Sequence, residues 1–209
     1  TIEGYVDHII FRNEENAYTV LVLIPKEPVL EEDLDDPDEI TCVGIFASVT
    51  AGENLKVTGD FVMHESFGMQ LKVKTYEEVA PTDTQSLERY LASGAVKGIG
   101  PALASRILKK FGDRTFEILE VEPERLACVK GISRNKAMQI AEDLRKKSDQ
   151  RMVMLELSKL GITAGMSLKI FNKYGQDAMS VIKKNPYRLA EDIDGIGFRT
   201  ADDIALAAG

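Results

Sequence analysis

Between residues 69 and 75 apolar and polar positions alternate: Met69, Leu71, Val73 and Thr75 are separated by Gln70, Lys72 and Lys74. A period of two sends alternate side chains to opposite faces, so Met69–Val79 is predicted as a β-strand with one wet face. Four similar stretches precede it, at Gly4–Phe11, Tyr18–Ile24, Ile40–Phe46 and Asn54–His64. The first two flank Asn13-Glu14-Glu15-Asn16, a polar turn that predicts a hairpin, and Ala51-Gly52 and Ser66-Phe67-Gly68 interrupt the later ones. Five short strands within about eighty residues fit a small closed barrel; the OB-fold is the commonest five-stranded form, and an SH3-like barrel is the alternative.

After Pro81-Thr82-Asp83-Thr84 the period changes. Proline ends the strand and Asp or Thr can cap a helix. Leu103, Ile107 and Leu108 recur at helical spacing, with Arg106, Lys109 and Lys110 on the wet side. Helices are predicted at Gln85–Ser93 and Pro101–Lys110, at a short segment holding Phe116, Ile118 and Leu119, and from Pro123-Glu124-Arg125-Leu126 onward. Ala137, Ile140, Ala141 and Leu144 form another apolar stripe, and Met152, Leu155 and Leu157 are expected to bury within Gln150–Leu160. The fold class predicted is α+β and multidomain: a barrel over 1–80, then two helical pairs over 81–150 and 151–209.

The helical part is organised around Val96-Lys97-Gly98-Ile99-Gly100, set between two helices. Glycines there allow a tight turn, and Pro101 suits the first position of the following helix. Amides left unpaired at that helix start would form an anion site to which a phosphate fits. The pattern returns as Val129-Lys130-Gly131-Ile132-Ser133 and Ile193-Asp194-Gly195-Ile196-Gly197, with a degenerate copy at Leu160-Gly161-Ile162-Thr163. A shift of about 63 residues superposes Lys110-Phe111-Gly112 on Lys173-Tyr174-Gly175 and Arg125-Leu126-Ala127 on Arg188-Leu189-Ala190. The region is read as a duplicated two-hairpin unit. The copies differ in charge: lysine precedes the glycine in the first two, whereas the fourth has Asp194 beside Glu191 and Asp192, and carboxylates there compete with phosphate.

The net charge of −8 argues at first against nucleic acid, but its distribution does not. Residues 1–80 hold 5 Lys and Arg against 17 Asp and Glu, and residues 81–209 hold 21 against 17. Such asymmetry points to two domains with different partners. The acidic run Glu31–Glu39 reads as a solvated loop, since it lacks the spacing of a calcium-binding EF-hand. Phe46, Phe61, Phe67 and Tyr76 with Lys56, Lys72 and Lys74 could serve strand binding, but the acidic balance makes a protein contact or spacer the favoured role of the barrel. Cys42, Cys128, His8 and His64 show no metal-ligand spacing. No apolar run approaches the roughly 18 residues of a membrane span, and no signal peptide is evident. A cytoplasmic monomer without membrane contact is expected. The start at Thr1 and the end at Gly209 lead to the expectation of a piece of a longer chain.

Paired hairpins of this form are similar to the non-sequence-specific DNA-binding modules of repair and recombination proteins. Further motifs extend the likeness: Gly4-Tyr5-Val6, Ile10–Leu21, Gly59-Asp60-Phe61 with His64, Gly68 and Gln70, Asn185–Ala190, and Gly195–Asp202. With these the chain resembles the opening region of the RecD-like DNA helicases, free-standing long subgroup. The resemblance implies a parent that moves 5′ to 3′ on single-stranded DNA using ATP and Mg²⁺ in motor domains beyond this region. No Gly-Lys pair occurs here, hence no G-x-x-x-x-G-K-[ST] phosphate loop, and this stretch is expected to bind no ATP or metal and to catalyse nothing alone. The expected DNA contacts are Lys97, Gly98, Ile99, Gly100, Arg106, Lys130, Gly131, Ser133, Arg134, Gly195, Gly197, Arg199 and Thr200. The rival reading is a protein-interaction and spacer module that regulates the motor. A stand-alone nuclease is poorly supported, because its metal would need clustered carboxylates on ordered elements.

Overall fold

A computed structural model describes residues 1–32 and 34–209; Asp33, within the acidic run, lies outside the described residues. Five strands form first: β1 Ile2–Arg12, β2 Tyr18–Pro25, β3 Ile40–Ile45, β4 Asn54–His64 and β5 Gly68–Val79. They close into a barrel in the order β1-β2-β3-β5-β4, with β3 parallel to β5 and every other pairing antiparallel. This is the OB arrangement. The inward set of the period-two pattern makes the core: Val6, Leu21, Leu23, Ile40, Cys42, Leu55, Val57, Leu71 and Val73, with Phe46 and Val49 from the turn after β3. Burial pushes the Cys42 thiol up to about 12, so it behaves as a small apolar residue.

The helices are α1 Thr84–Ala92, α2 Pro101–Phe111, α3 Thr115–Val121, α4 Arg134–Lys159, α5 Ala164–Tyr174, α6 Ala178–Lys184, α7 Arg188–Asp192 and α8 Phe198–Ala208. Asp83 caps α1, its carboxylate accepting from the Ser86 N–H at 2.8 Å. The duplication is visible in the backbone. Helix α2, a 3₁₀ turn at Gly112–Arg114 and α3 are followed 63 residues later by α5, a 3₁₀ turn at Gly175–Asp177 and α6. Gly112 and Gly175 even share their torsion angles, with φ of 54° and 57° and ψ of −132° in both.

Two expectations need correction. Pro123 opens a 3₁₀ turn, Pro123–Cys128, rather than a helix, because the second hairpin follows at once and leaves no room for further turns. Met152 is 61% exposed, Leu155 is only half-buried, and the buried positions are Val153 and Leu157. With neither Gly nor Pro between 134 and 159, α4 runs unbroken, and its buried stripe there follows 153 and 157 at i, i+4. Two compact units result, Thr1–Lys147 and Ser148–Gly209. Among the described residues no helix is long and apolar enough to cross a membrane.

Candidate nucleic-acid interface

Each hairpin alternates anchored and exposed positions. Val96, Ile99, Val129 and Ile132 are buried in the core of the first pair with Ala104, Ile107, Ala137 and Ile140. Lys97, Gly98, Gly100, Lys130, Gly131, Ser133 and Arg134 are exposed between and beyond them. The anchors fix the turn, so the intervening backbone must face water. Ile99 N–H donates to Val96 O and Ile132 N–H to Val129 O, both at 3.1 Å, and each turn carries its glycine at positive φ, 87° at Gly98 and 100° at Gly131. A side chain at those angles would clash with its own backbone, which is why both positions are glycine.

The two hairpins cover one another. A Cβ placed on Gly98 would stand 3.6 Å from Lys136 Cε and 3.9 Å from Ile140 Cγ1, both on the helix after the second hairpin. One on Gly131 would stand 3.0 Å from Arg106 Nη1 and 3.2 Å from Leu103 Cδ2, both on the helix after the first. This reciprocity puts the lysine-bearing turns and helix starts of the pair into one local cluster. Lys136, read in the sequence only as a basic neighbour, crosses the first turn directly.

The donors are not equivalent. Gly100 offers no side-chain cap to α2, and Pro101 has no N–H, so the Ala102 and Leu103 amides lack a partner within the helix. At the start of α4, Ser133 Oγ accepts from the Lys136 N–H at 3.2 Å and already satisfies one such amide. Arg106 is exposed, yet its Nη1 donates to Lys130 O at 3.1 Å, and Lys110 Nζ donates to Cys128 O at 2.9 Å. The basic ridge of α2 therefore braces the segment entering the second hairpin, and Arg106 keeps its remaining guanidinium donors for another acceptor.

The second pair repeats the brace. Ile196 N–H donates to Ile193 O at 3.2 Å, Gly195 has φ 92°, and Lys169 Nζ donates to Asp194 O at 3.1 Å, 63 residues after Arg106. Sequence reasoning passed over Lys169, although the 63-residue shift pointed to it. Gly197 and Arg199 are exposed and Thr200 is half-buried. Asp192 accepts from Tyr174 OH at 2.8 Å and Arg188 Nε at 3.1 Å, which together hold its carboxyl below the ordinary value. Burial first, and then the bond to Asp192, pushes the Tyr174 phenol up to about 12. A cleft of about 370 Å³ beside the fourth hairpin is lined by Lys169, Lys173, Asp192 and Asp194, a mixed charge where the first pair is basic. The third hairpin is of another kind. Gly161 N–H donates to Ser158 O at 2.9 Å and Ile162 N–H to Leu157 O at 3.2 Å. That is a Schellman cap ending α4, with those two amides already used.

A five-stranded OB barrel followed by two helix-hairpin-helix pairs defines a class: modular accessory regions of DNA-processing proteins. Comparison with known proteins narrows it. Residues 1–81 match the family described as "ATP-dependent DNA helicase YrrC, OB-fold domain", residues 88–146 a "SAM-like Helix-hairpin-helix tandem", and residues 146–209 an "ATP-dependent RecD2 DNA helicase HHH domain". The ATP-dependent RecD2 DNA helicase of Deinococcus radiodurans is 28% identical over 211 residues, an alignment covering all of this chain and 28% of the relative. The chain thus carries an OB-fold domain and helix-hairpin-helix domains that match those of RecD-like DNA helicases, and it spans about a quarter of the length of that curated relative.

Proposed function

We propose that this region is the DNA-binding accessory part of an ATP-dependent helicase that moves 5′ to 3′ and serves DNA repair and recombination. ATP and Mg²⁺ belong to motor domains outside this stretch. The region holds single-stranded or junction DNA by its backbone. Amides at Gly98, Gly100 and Gly131 and at the start of α2 receive phosphate oxygens, while Lys97, Lys130, Arg134, Lys136 and the free face of Arg106 neutralise charge. Ile99 acts from the core by fixing the first turn. Gly195, Gly197, Arg199 and Thr200 make a weaker contact, because Asp192 and Asp194 lie beside them. The observation that carries this reading is the reciprocal packing of two lysine-bearing, left-handed glycine turns in the first pair.

Contacts of this kind position DNA without reading its sequence, and their strength falls with salt. Fluorescence anisotropy with labelled single-stranded and duplex DNA at low and raised salt tests it on the chain and on Lys97→Glu/Lys130→Glu. Both lysines are exposed, so the double variant keeps its fold. The expected result is binding that weakens steeply with salt and falls by at least about tenfold in the variant. Unchanged binding in the variant would move the role of these hairpins to protein packing.

A further inference from the structure

The outer face of the barrel carries a groove of about 410 Å³ that the hairpins do not share. It is lined by Ile10, Phe11, Tyr18, Val43, Phe67 and Gln70 among others. Ile10 is 57% exposed, Phe11 51%, Tyr18 40% and Phe67 72%. Phe67 is held at the lip by the neighbouring His64 ring, with centroids 4.8 Å apart. Apolar and aromatic side chains gathered in one concavity are the usual core of an interaction surface, and scattered exposure would not give this.

The rim decides what such a groove takes. Glu14 and Glu15 stand exposed in the turn joining the strands of Phe11 and Tyr18, and Glu65 stands exposed two residues before Phe67. The acidic run also reaches this edge: Asp35 Oδ2 lies 3.0 Å from where a Gly68 Cβ would be. Among the described residues no lysine or arginine lines the groove itself. Arg12, the nearest in sequence, turns away to Thr19 Oγ1 at 3.2 Å and to the Val49 carbonyl. Lys72 is exposed on β5 beside the groove, paired in register with Val43 on one side and Asp60 on the other, and Lys74 is paired with Asp60. A nucleic-acid strand stacked on these aromatics would bring its phosphates toward Glu14, Glu15, Glu65 and Asp35, with Lys72 as the neighbouring cation.

We infer that this groove is a docking site for a segment of a partner protein that combines an aromatic or aliphatic anchor with flanking Lys or Arg. The anchor fills the space between Phe11, Tyr18 and Phe67, and the cations meet Glu14, Glu15, Glu65 and Asp35. The site is independent of the DNA contact on the hairpins.

A random short-peptide display library panned on the whole chain tests this, with Phe67→Ser kept out of the panning as the comparison protein and oligothymidylate as a second probe. The expected result is enrichment of peptides pairing an apolar anchor with Lys or Arg. Their binding should fall roughly thirtyfold in Phe67→Ser, the loss of an aromatic anchor. It should also weaken in Glu14→Lys/Glu65→Lys and stay unchanged in Lys97→Glu/Lys130→Glu. All these positions are exposed, so each variant folds. Failure to enrich, enrichment of peptides without cations, or binding indifferent to Phe67→Ser would overturn the inference. Oligothymidylate binding lost in Phe67→Ser would overturn it in favour of a nucleic-acid groove.

Discussion

Ser167 and Ala104 occupy the same position in the two copies of the duplicated unit, 63 residues apart, and each is 1% exposed. The alanine has nothing to satisfy, whereas Ser167 Oγ finds no hydrogen-bond partner among the described residues. A buried polar group left unpaired costs about 1–3 kcal/mol, while deleting one hydroxyl oxygen leaves only a small void. Ser167→Ala is therefore expected to stabilise the chain by roughly 1 kcal/mol, raising Tm by about 2–4 °C for a chain of this size. Thermal unfolding followed by circular dichroism measures it, and a lower Tm would mean that the hydroxyl is satisfied by water. The same scale shows what a sequence can carry. That Arg106 is basic and lies on the wet side of α2 follows from helical spacing. That it reaches back to Lys130 O does not, because this depends on how the second hairpin folds over the first. Phe11 and Tyr18 were likewise invisible as a surface. Alternation marks which residues share a face of a strand, but β1 bulges between Ile9 and Phe11, and the bulge resets which side chains face out.

At the scale of elements the repeats were legible because each hairpin has a physical demand that only certain residues meet: buried apolar flanks and a left-handed glycine. Gly161 passes the second test with φ 76° and still does not make the same turn. It stands two residues past the last residue of the long helix α4, and its amide and the next one cap that helix, so its neighbourhood is a helix end. The link of Tyr174 to Asp192 yields a pH prediction for the second unit. Asp192 has a lowered folded pKa, so its contribution is present above the ordinary carboxylate value and is lost as pH falls through the folded one. Tyr174 has a raised pKa, so its contribution is present below the ordinary phenol value, about 10, and is lost as pH climbs toward about 12. Between those limits the bond is intact. Urea unfolding at neutral pH and at about pH 3, on the chain and on Tyr174→Phe, separates this from general acid effects. The variant should be less stable at neutral pH and lose less on acidification. An equal loss in both proteins would dismiss the link.

At the scale of the first compact unit, the barrel is joined to helices by a turn that looks unremarkable in sequence. Gly52 sits at φ 85° with Arg89 O only 2.7 Å from where its Cβ would be, and the Arg89 guanidinium lies 3.7 Å above the Tyr5 ring. Beside it Glu53 is 2% exposed, accepts from Thr50 Oγ1 at 3.2 Å and pairs with Lys147, whose side chain is 17% exposed. The two residues are 94 positions apart, beyond the reach of any local pattern, and a glutamate in a strand-joining turn reads as solvated. Removing one partner of a buried ion pair costs about 3–5 kcal/mol, because the other charge stays desolvated. Partial exposure lets Lys147 regain some water, so Glu53→Ala should cost about 3 kcal/mol, the low end of that range. The companion Glu53→Gln/Lys147→Met removes both charges and keeps the volume, and it should recover most of the loss, as replacement of a whole buried pair commonly does. Urea unfolding of the two variants, each compared with the parent chain, decides the matter. If the single substitution costs under about 1 kcal/mol, the pair behaves as an exposed one and the barrel is held to the helices by the contacts at Gly52 and Tyr5 instead.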